Sequence, residues 1–171
     1  MRRVIFGCFV LAIAAFALYG FNAAQGQKLN AKQLRSTLTQ LGYEVKDLNT
    51  KEGEEKYEVK ITREGYDVFV AYEISPSTNY IWLTVLLGDF KVATSEDMSK
   101  SIADTIKKYE LAVAMLKENS KIQPTNFYIS SNGKLMLGLA IDNRAVDNAM
   151  LRTKSEKICA DVVSSAALWT K

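Results

Sequence analysis

Three stretches of alternating apolar and polar residues follow one another in the first half of the chain, and they constrain the fold more than any other feature. In the first stretch, Tyr57, Val59 and Ile61 alternate with charged or polar residues, which is the two-residue period of a half-exposed β-strand. Gly65 lies in the short turn before the second stretch, and Pro76 lies in the turn before the third. Because both connections are short, each stretch must pair with its neighbour, and we predict an antiparallel three-strand meander.

The residues before the meander favour a helix followed by a loop. Asn30 is a suitable N-cap residue, the leucines that follow it recur on one helix face, and Gly42 is a typical helix end. Residues 46–55 are polar and contain a glycine, so they predict a loop.

A second helix is predicted after the meander. Thr94 or Ser95 can cap its start, and acidic residues in the first turn suit the positive end of the helix dipole. We expect this helix to end near Asn119. Apolar residues recur along it at helical spacing: Met98, Ile102, Ile106, Tyr109, Val113 and Leu116.

A β-hairpin and a final helix complete the predicted order. A strand over residues 127–130 runs into Asn132-Gly133, which is a strong hairpin signal, and residues 135–141 alternate as the partner strand. Asp142 or Asn143 then starts the last helix.

Within the last helix, residues 153–156 resemble a capping box that restarts it. Its apolar stripe comprises Ile158, Val162, Ala166 and Trp169. The complete order is α-β-β-β-α-β-β-α, so the predicted class is α+β with an antiparallel sheet and helices packed on one of its faces. We expect one domain over residues 27–171.

The N-terminus reads as a secretory signal peptide. Arg2 and Arg3 precede an apolar run over residues 4–21, and Ala24 and Gly26 place small residues where a signal peptidase requires them. We therefore predict a signal peptide over residues 1–26 and export to the periplasm or the medium. The alternative is an uncleaved membrane anchor, since the run approaches the length that spans a bilayer.

Charge and histidine content narrow the functions. The chain carries a formal net charge of +3, which falls close to zero once the two leader arginines are removed, and its basic and acidic residues are interleaved. This pattern argues against a nucleic-acid partner. The sequence has no histidine, which excludes Ser-His-Asp and Cys-His nucleophiles and histidine zinc sites. Cys159 is the sole cysteine outside the leader, and its apolar neighbours predict that it is buried.

The acidic pairs have structural explanations, so we predict no catalytic residue, no metal site and no cofactor. They suit a lysine-rich loop, a helix start and a helix cap. These pairs are Glu54 with Glu55, Glu96 with Asp97, and Asp142 with Asp147.

The alternation also assigns side chains to the two faces of the sheet. We predict that the core face comprises Tyr57, Val59, Ile61, Val68, Val70, Ile81, Leu83, Val85, Leu87, Phe127, Ile129, Leu135, Leu137 and Leu139. The opposite face carries charged residues and six large apolar or amphipathic residues, and the aromatic residues and Met among them are of types enriched in interface centres. These six are Phe69, Tyr80, Trp82, Leu86, Tyr128 and Met136. They either bind a protein partner, with a homodimer as the expected case, or are covered by another part of this chain.

The order of packing and turn residues resembles a known bacterial domain. The resemblance is based on three segments: a leucine-spaced helix ending Leu41-Gly-Tyr43, a helix ending Leu116-Lys-Glu-Asn119, and the hairpin sequence at positions 127–137. Together they resemble the YbjN-type domain, described as a putative sensory-transduction regulator and similar in fold to type III secretion chaperones. The resemblance implies a non-enzymatic domain that pairs and holds other polypeptides, and it implies no catalytic residues.

We therefore expect an exported protein-binding module, chaperone-like or regulatory, that self-associates through its aromatic sheet face and makes no stable membrane span once its leader is cleaved. The alternative is a small-ligand or carboxylate-based hydrolytic protein with a pocket between the sheet and the helices.

Overall fold

The computed structural model describes residues 26–90 and 102–170 of the 171-residue chain. The predicted leader at positions 1–26 therefore lies almost wholly outside the described residues, as do the predicted helix cap at Thr94 or Ser95 and the stripe residue Met98. The helices and strands are α1 (Ala31–Gln40), β1 (Val45–Asn49), β2 (Lys56–Arg63), β3 (Tyr66–Ile74), β4 (Tyr80–Asp89), α2 (Ile102–Ile122), β5 (Asn126–Ile129), β6 (Lys134–Asp142), α3 (Asn148–Ser164) and the short α4 (Ala166–Trp169).

The strands form one six-stranded antiparallel sheet in the order β1-β2-β3-β4-β6-β5. This confirms the predicted α+β class and the meander of β2, β3 and β4. The hairpin of β5 and β6 joins the sheet through β6, which pairs along its full length with β4. The central strands therefore come from both halves of the chain.

The loop predicted over residues 46–55 is partly wrong, because β1 lies at its start. This short edge strand pairs with β2, and its burial pattern shows no fully buried side chain. Asp47 also receives two hydrogen bonds from the Arg35 guanidinium, at 2.8 and 3.1 Å, which join the strand to α1. Lys46 of the same strand pairs with Glu58 of β2. A strand held by backbone pairing and ion pairs has no apolar alternation to reveal it.

The core lies between one face of the sheet, the inner face, and the helices. Val59, Val70 and Leu83 on the sheet are fully buried with Leu34 of α1 and Ile158 of α3. This agrees with the predicted core face. Three of its predicted members differ: Ile61 and Leu87 are only partly buried, and Ile129 is exposed because it ends the edge strand β5.

The second helix differs from its prediction at its end and on its buried side. α2 runs to Ile122, three residues beyond the predicted end at Asn119. Its contact with the core is made by Leu111, Met115 and Ile122, and the stripe predicted from helical spacing lies on another side of the helix.

The last helix begins later than predicted. Asp142 is the final residue of β6, and the N-cap of α3 is Asp147, whose carboxylate accepts a hydrogen bond from the Met150 N–H. The capping box predicted at residues 153–156 is wrong, because this segment lies inside α3. Ser155, within this segment, is buried in the core, where its hydroxyl accepts a hydrogen bond from the buried Tyr72 hydroxyl at 2.7 Å.

Asn143, predicted as a helix cap, instead fastens the N-terminal segment to the sheet. Its fully buried side chain accepts a hydrogen bond from the Leu29 N–H and donates to the carbonyls of Leu29 and Thr78, at 2.9–3.0 Å. Its own N–H donates to the carbonyl of Asn79. One amide thus satisfies backbone groups of two segments that are far apart in sequence.

Replacing Asn143 by Ala is expected to lower the free energy of unfolding by more than about 2 kcal/mol, because buried backbone groups of Leu29 lose their partners. Urea denaturation followed by circular dichroism measures this change. Asn79→Ala is the matched control, since that side chain is exposed, and it should change stability by less than about 0.5 kcal/mol. Equal effects of the two substitutions would contradict the role given to Asn143.

Candidate functional site

The six large residues predicted on the second face do share one side of the sheet, which we call the outer face. Five of them are exposed, with Leu86 at 59%, Phe69 at 50% and Trp82 at 39% of full exposure, and Met136 is partly buried. The described helices pack against the other side, so these apolar side chains face solvent in the described part of the chain. An exposed group of this kind marks an interaction surface more often than scattered single residues do.

The six residues form two lines that meet at Leu86. Tyr80, Trp82 and Leu86 project from the same side of β4, two or four positions apart. Leu86 is opposite Met136 on β6, and Met136 is opposite Tyr128 on β5. On the other side of Leu86, Phe69 of β3 lies one position beyond the Val70–Val85 pair. The second line therefore crosses four strands.

A trough of about 630 Å³ runs beside this second line. Ala71 of β3 and Thr84 of β4, which are opposite each other, form its floor. Gly138 of β6, opposite Thr84, continues this row beneath the Tyr128 ring. The row of Phe69, Leu86, Met136 and Tyr128 makes one wall, and Glu73 lies on the opposite side. Sequence alternation could assign Thr84 and Gly138 to the outer face, but their alignment depends on strand register, which the sequence analysis did not predict.

The Tyr128 ring lies directly over Gly138. A Cβ atom on Gly138 would be 2.8 Å from Cε1 of Tyr128, which is closer than side chains approach each other. The glycine therefore provides the space that the ring occupies, an arrangement known from other sheets in which an aromatic side chain covers a strand glycine. Burial raises the pKa of the Tyr128 hydroxyl above its usual value, and the charge of Glu73 raises it further.

Thr84 provides an unsatisfied polar group at the floor of the trough. The residue is only 7% exposed, and its hydroxyl has no hydrogen-bond partner among the described residues. Leaving a buried hydroxyl unpaired costs about 1–3 kcal/mol, so native proteins rarely keep one without a reason. A rotation about χ1 exchanges the positions of the hydroxyl and the methyl group, so either group can point into the trough.

The charged residues that line the trough are all in ion pairs. Lys56 pairs with Glu73 at 3.1 Å, Glu58 with Lys46 at 3.2 Å, and Lys134 with Asp89. These pairs are partly exposed, so each contributes little to stability. Their main consequence is that the rim of the trough carries no net charge.

One edge of the sheet is closed by a side chain that the sequence analysis did not identify. Asn119 of α2 accepts a hydrogen bond from the Phe127 N–H at 2.6 Å and donates to the Phe127 carbonyl at 3.2 Å. The amide thereby takes the place of a neighbouring strand beside β5. Blocking an edge in this way protects a sheet against unwanted strand pairing.

A second exposed apolar surface lies on α2 and was predicted only as a periodic pattern. It comprises Ile102, Ile106, Tyr109, Val113 and Leu116, which we call the α2 stripe. Ile102 and Tyr109 are 72% exposed, and Val113 is partly buried. The spacing of four, three, four and three residues is that of a coiled-coil seam, which fits against a second helix of the same periodicity.

Each described acidic residue that was considered as a catalytic candidate has a hydrogen-bond or ion-pair partner. The Asp142 carboxylate is hydrogen-bonded to Arg144, whose side chain and N–H lower the Asp142 pKa to about 2. Asp147 caps α3, and Glu54 pairs with Lys51. Glu96 and Asp97 lie outside the described residues.

A separate cavity of about 530 Å³ lies beside the start of α1. Glu55 is the single carboxylate among its described lining residues, and it accepts a hydrogen bond from the Gly53 N–H at 2.9 Å. In the described part of the chain, no three acidic or cysteine side chains come together as a metal site would require. The paired carboxylates of the hydrolytic alternative are not brought together in this cavity.

Comparisons with known proteins do not assign the chain to a family: no protein-family model, no curated protein and no solved structure matches it. The resemblance to the YbjN-type domain therefore stays a prediction. Among the helices that the structure describes, none combines the length and the apolar character that crossing a bilayer requires.

Cys159 is free and fully buried, which confirms the predicted burial, and this environment raises the pKa of its thiol to about 12. We expect the folded protein lacking residues 1–26, and therefore lacking Cys8, to react at pH 8 with a disulfide reagent such as DTNB no faster than it unfolds, because the Cys159 thiol is neutral and shielded. The same protein in 8 M urea should react within seconds to minutes. Complete labelling of the native protein within minutes would contradict this assignment.

Proposed function

We propose that this chain is an exported, non-enzymatic module of a chaperone-like or regulatory kind that binds a protein partner through its outer face. The carrying observation is that six interface-type residues, chosen from the sequence alone, lie together on the side of the sheet opposite the helices, with five of them exposed. Aromatic residues and Met are enriched at the centres of protein interfaces, and Trp and Tyr are frequent among the residues that dominate binding.

A second copy of the chain is the partner that we propose first. Two copies that meet face to face about a two-fold axis would cover Phe69, Trp82 and Leu86 with the same residues of the other copy. A symmetric contact needs no further sequence feature, because each apolar side chain finds an apolar counterpart. Export follows from the predicted leader, and the chaperone-like or regulatory role follows from the resemblance to the YbjN-type domain.

Replacing Trp82 and Leu86 together by Ser is expected to reduce self-association without unfolding the protein, because both side chains are exposed. Sedimentation velocity over a range of concentrations measures the assembly, and circular dichroism reports the fold. The exported protein can also be co-purified from its native envelope and its partners identified by mass spectrometry. A specific partner found with the wild-type protein should be missing with the double variant. A variant that unfolds would place these residues in the core and contradict the proposal.

The α2 stripe offers a second surface for self-association, and its exposed coiled-coil spacing favours this use. If the two copies meet there, replacing Ile106 and Leu116 by Ser should convert a dimer to a monomer, and Trp82→Ser with Leu86→Ser should leave the dimer intact. The two double variants thus serve as matched controls for each other in the same sedimentation experiment. A wild-type chain that stays monomeric at all concentrations would contradict self-association through either surface.

A further inference from the structure

We propose that the trough on the outer face takes a short, extended and uncharged apolar segment of another polypeptide. This inference rests on the proposed binding role of the outer face, and it takes a protein partner other than a second copy as the occupant of the trough. It depends on three properties of the trough, namely its row of small residues, its neutral rim and its unsatisfied hydroxyl.

The dimensions of the trough fit an extended segment that crosses the strands. The wall formed by Phe69, Leu86, Met136 and Tyr128 spans four strands, which are about 4.8 Å apart, or about 14 Å in total. An extended chain advances about 3.3–3.6 Å per residue, so about four residues cover this distance. The small residues Ala71 and Thr84 on the floor leave the depth that large partner side chains need.

The charges around the trough select against charged partner residues. Lys56, Glu58, Glu73 and Lys134 already have partners of opposite charge within the chain. A charged group entering the trough would lose water and find no free counter-ion, which is strongly unfavourable. Aromatic or aliphatic side chains give up no strong hydration when they enter, and the exposed part of the Tyr128 ring offers them a flat contact.

The Thr84 hydroxyl supplies the polar contact that orients such a segment. It is more than nine-tenths buried, unpaired among the described residues, and located on the floor of the trough. A hydroxyl both donates and accepts, so after rotation about χ1 it can bond to a backbone N–H or carbonyl of the segment. Backbone groups are present in every polypeptide, whereas the side chains give selectivity.

The direct test is selection from a phage-displayed library of random 12-residue peptides against the chain lacking residues 1–26, since the described structure lies almost wholly within residues 27–170. We expect the recovered peptides to share about four consecutive uncharged residues, including aromatic or aliphatic ones. Fluorescence anisotropy then gives the affinity of one such labelled peptide for the protein and its variants.

Gly138→Ala should weaken the binding of that peptide at least about tenfold, because the added methyl group must displace the Tyr128 ring into the trough. Gly88→Ala is the matched control on the same sheet, where a methyl group meets nothing within 4 Å, and it should leave the affinity unchanged. Thermal unfolding of both variants confirms that the fold is kept.

Three outcomes would overturn the inference. Recovered peptides with charged residues at the shared positions, or equal binding to the Gly138→Ala variant, would contradict the partner chemistry but leave the outer face as a binding surface. Recovery of no peptide, together with loss of self-association in Gly138→Ala, would make a second copy the occupant. The proposed function itself fails if Trp82→Ser with Leu86→Ser changes neither assembly nor partner capture.

Discussion

Burial of the inner face of the sheet under α1, α2 and α3 is the interaction on which the rest of the structure depends. Val59, Leu83 and Leu139 are fully shielded from solvent there, together with Leu34 and Ile158 from the helices. Each such side chain contributes about 1.5–3 kcal/mol when it leaves water. Because an antiparallel sheet needs only one covered face, this packing is sufficient for folding and leaves the outer face free for another purpose.

The outer face is organised in a way that solubility alone does not require. A solvated sheet face normally carries polar and charged residues, whereas this one has Ala71 and Thr84 as a floor and Leu86 and Tyr128 in a wall. The folded chain keeps both the unpaired Thr84 hydroxyl and the exposed aromatic surface, although each of them lowers its stability. Polypeptide binding gives both features a physical reason, since it would cover the rings and supply a partner for the hydroxyl.

Local periodicity predicted most of the fold, because alternation and helix caps are properties of neighbouring residues. It located β2, β3, β4 and the common side of the six outer-face residues. It missed β1, whose pairing leaves no apolar pattern, and the roles of Asn143 and Asn119, whose bonds join distant segments. The α2 stripe shows a further limit: helical spacing identifies an apolar side but not whether that side is covered. The trough depends on strand register, which turn residues alone did not reveal.

Site-specific photocrosslinking tests the central claim most directly. A photoreactive benzoylphenylalanine residue replaces Leu86 at the junction of the two outer-face lines, and another replaces the exposed Lys32 of α1 as a control. The account predicts that irradiation joins the protein to a polypeptide from position 86 and that the same product is missing from position 32. Identical products from both positions, or no product from position 86, would contradict a binding role for the outer face.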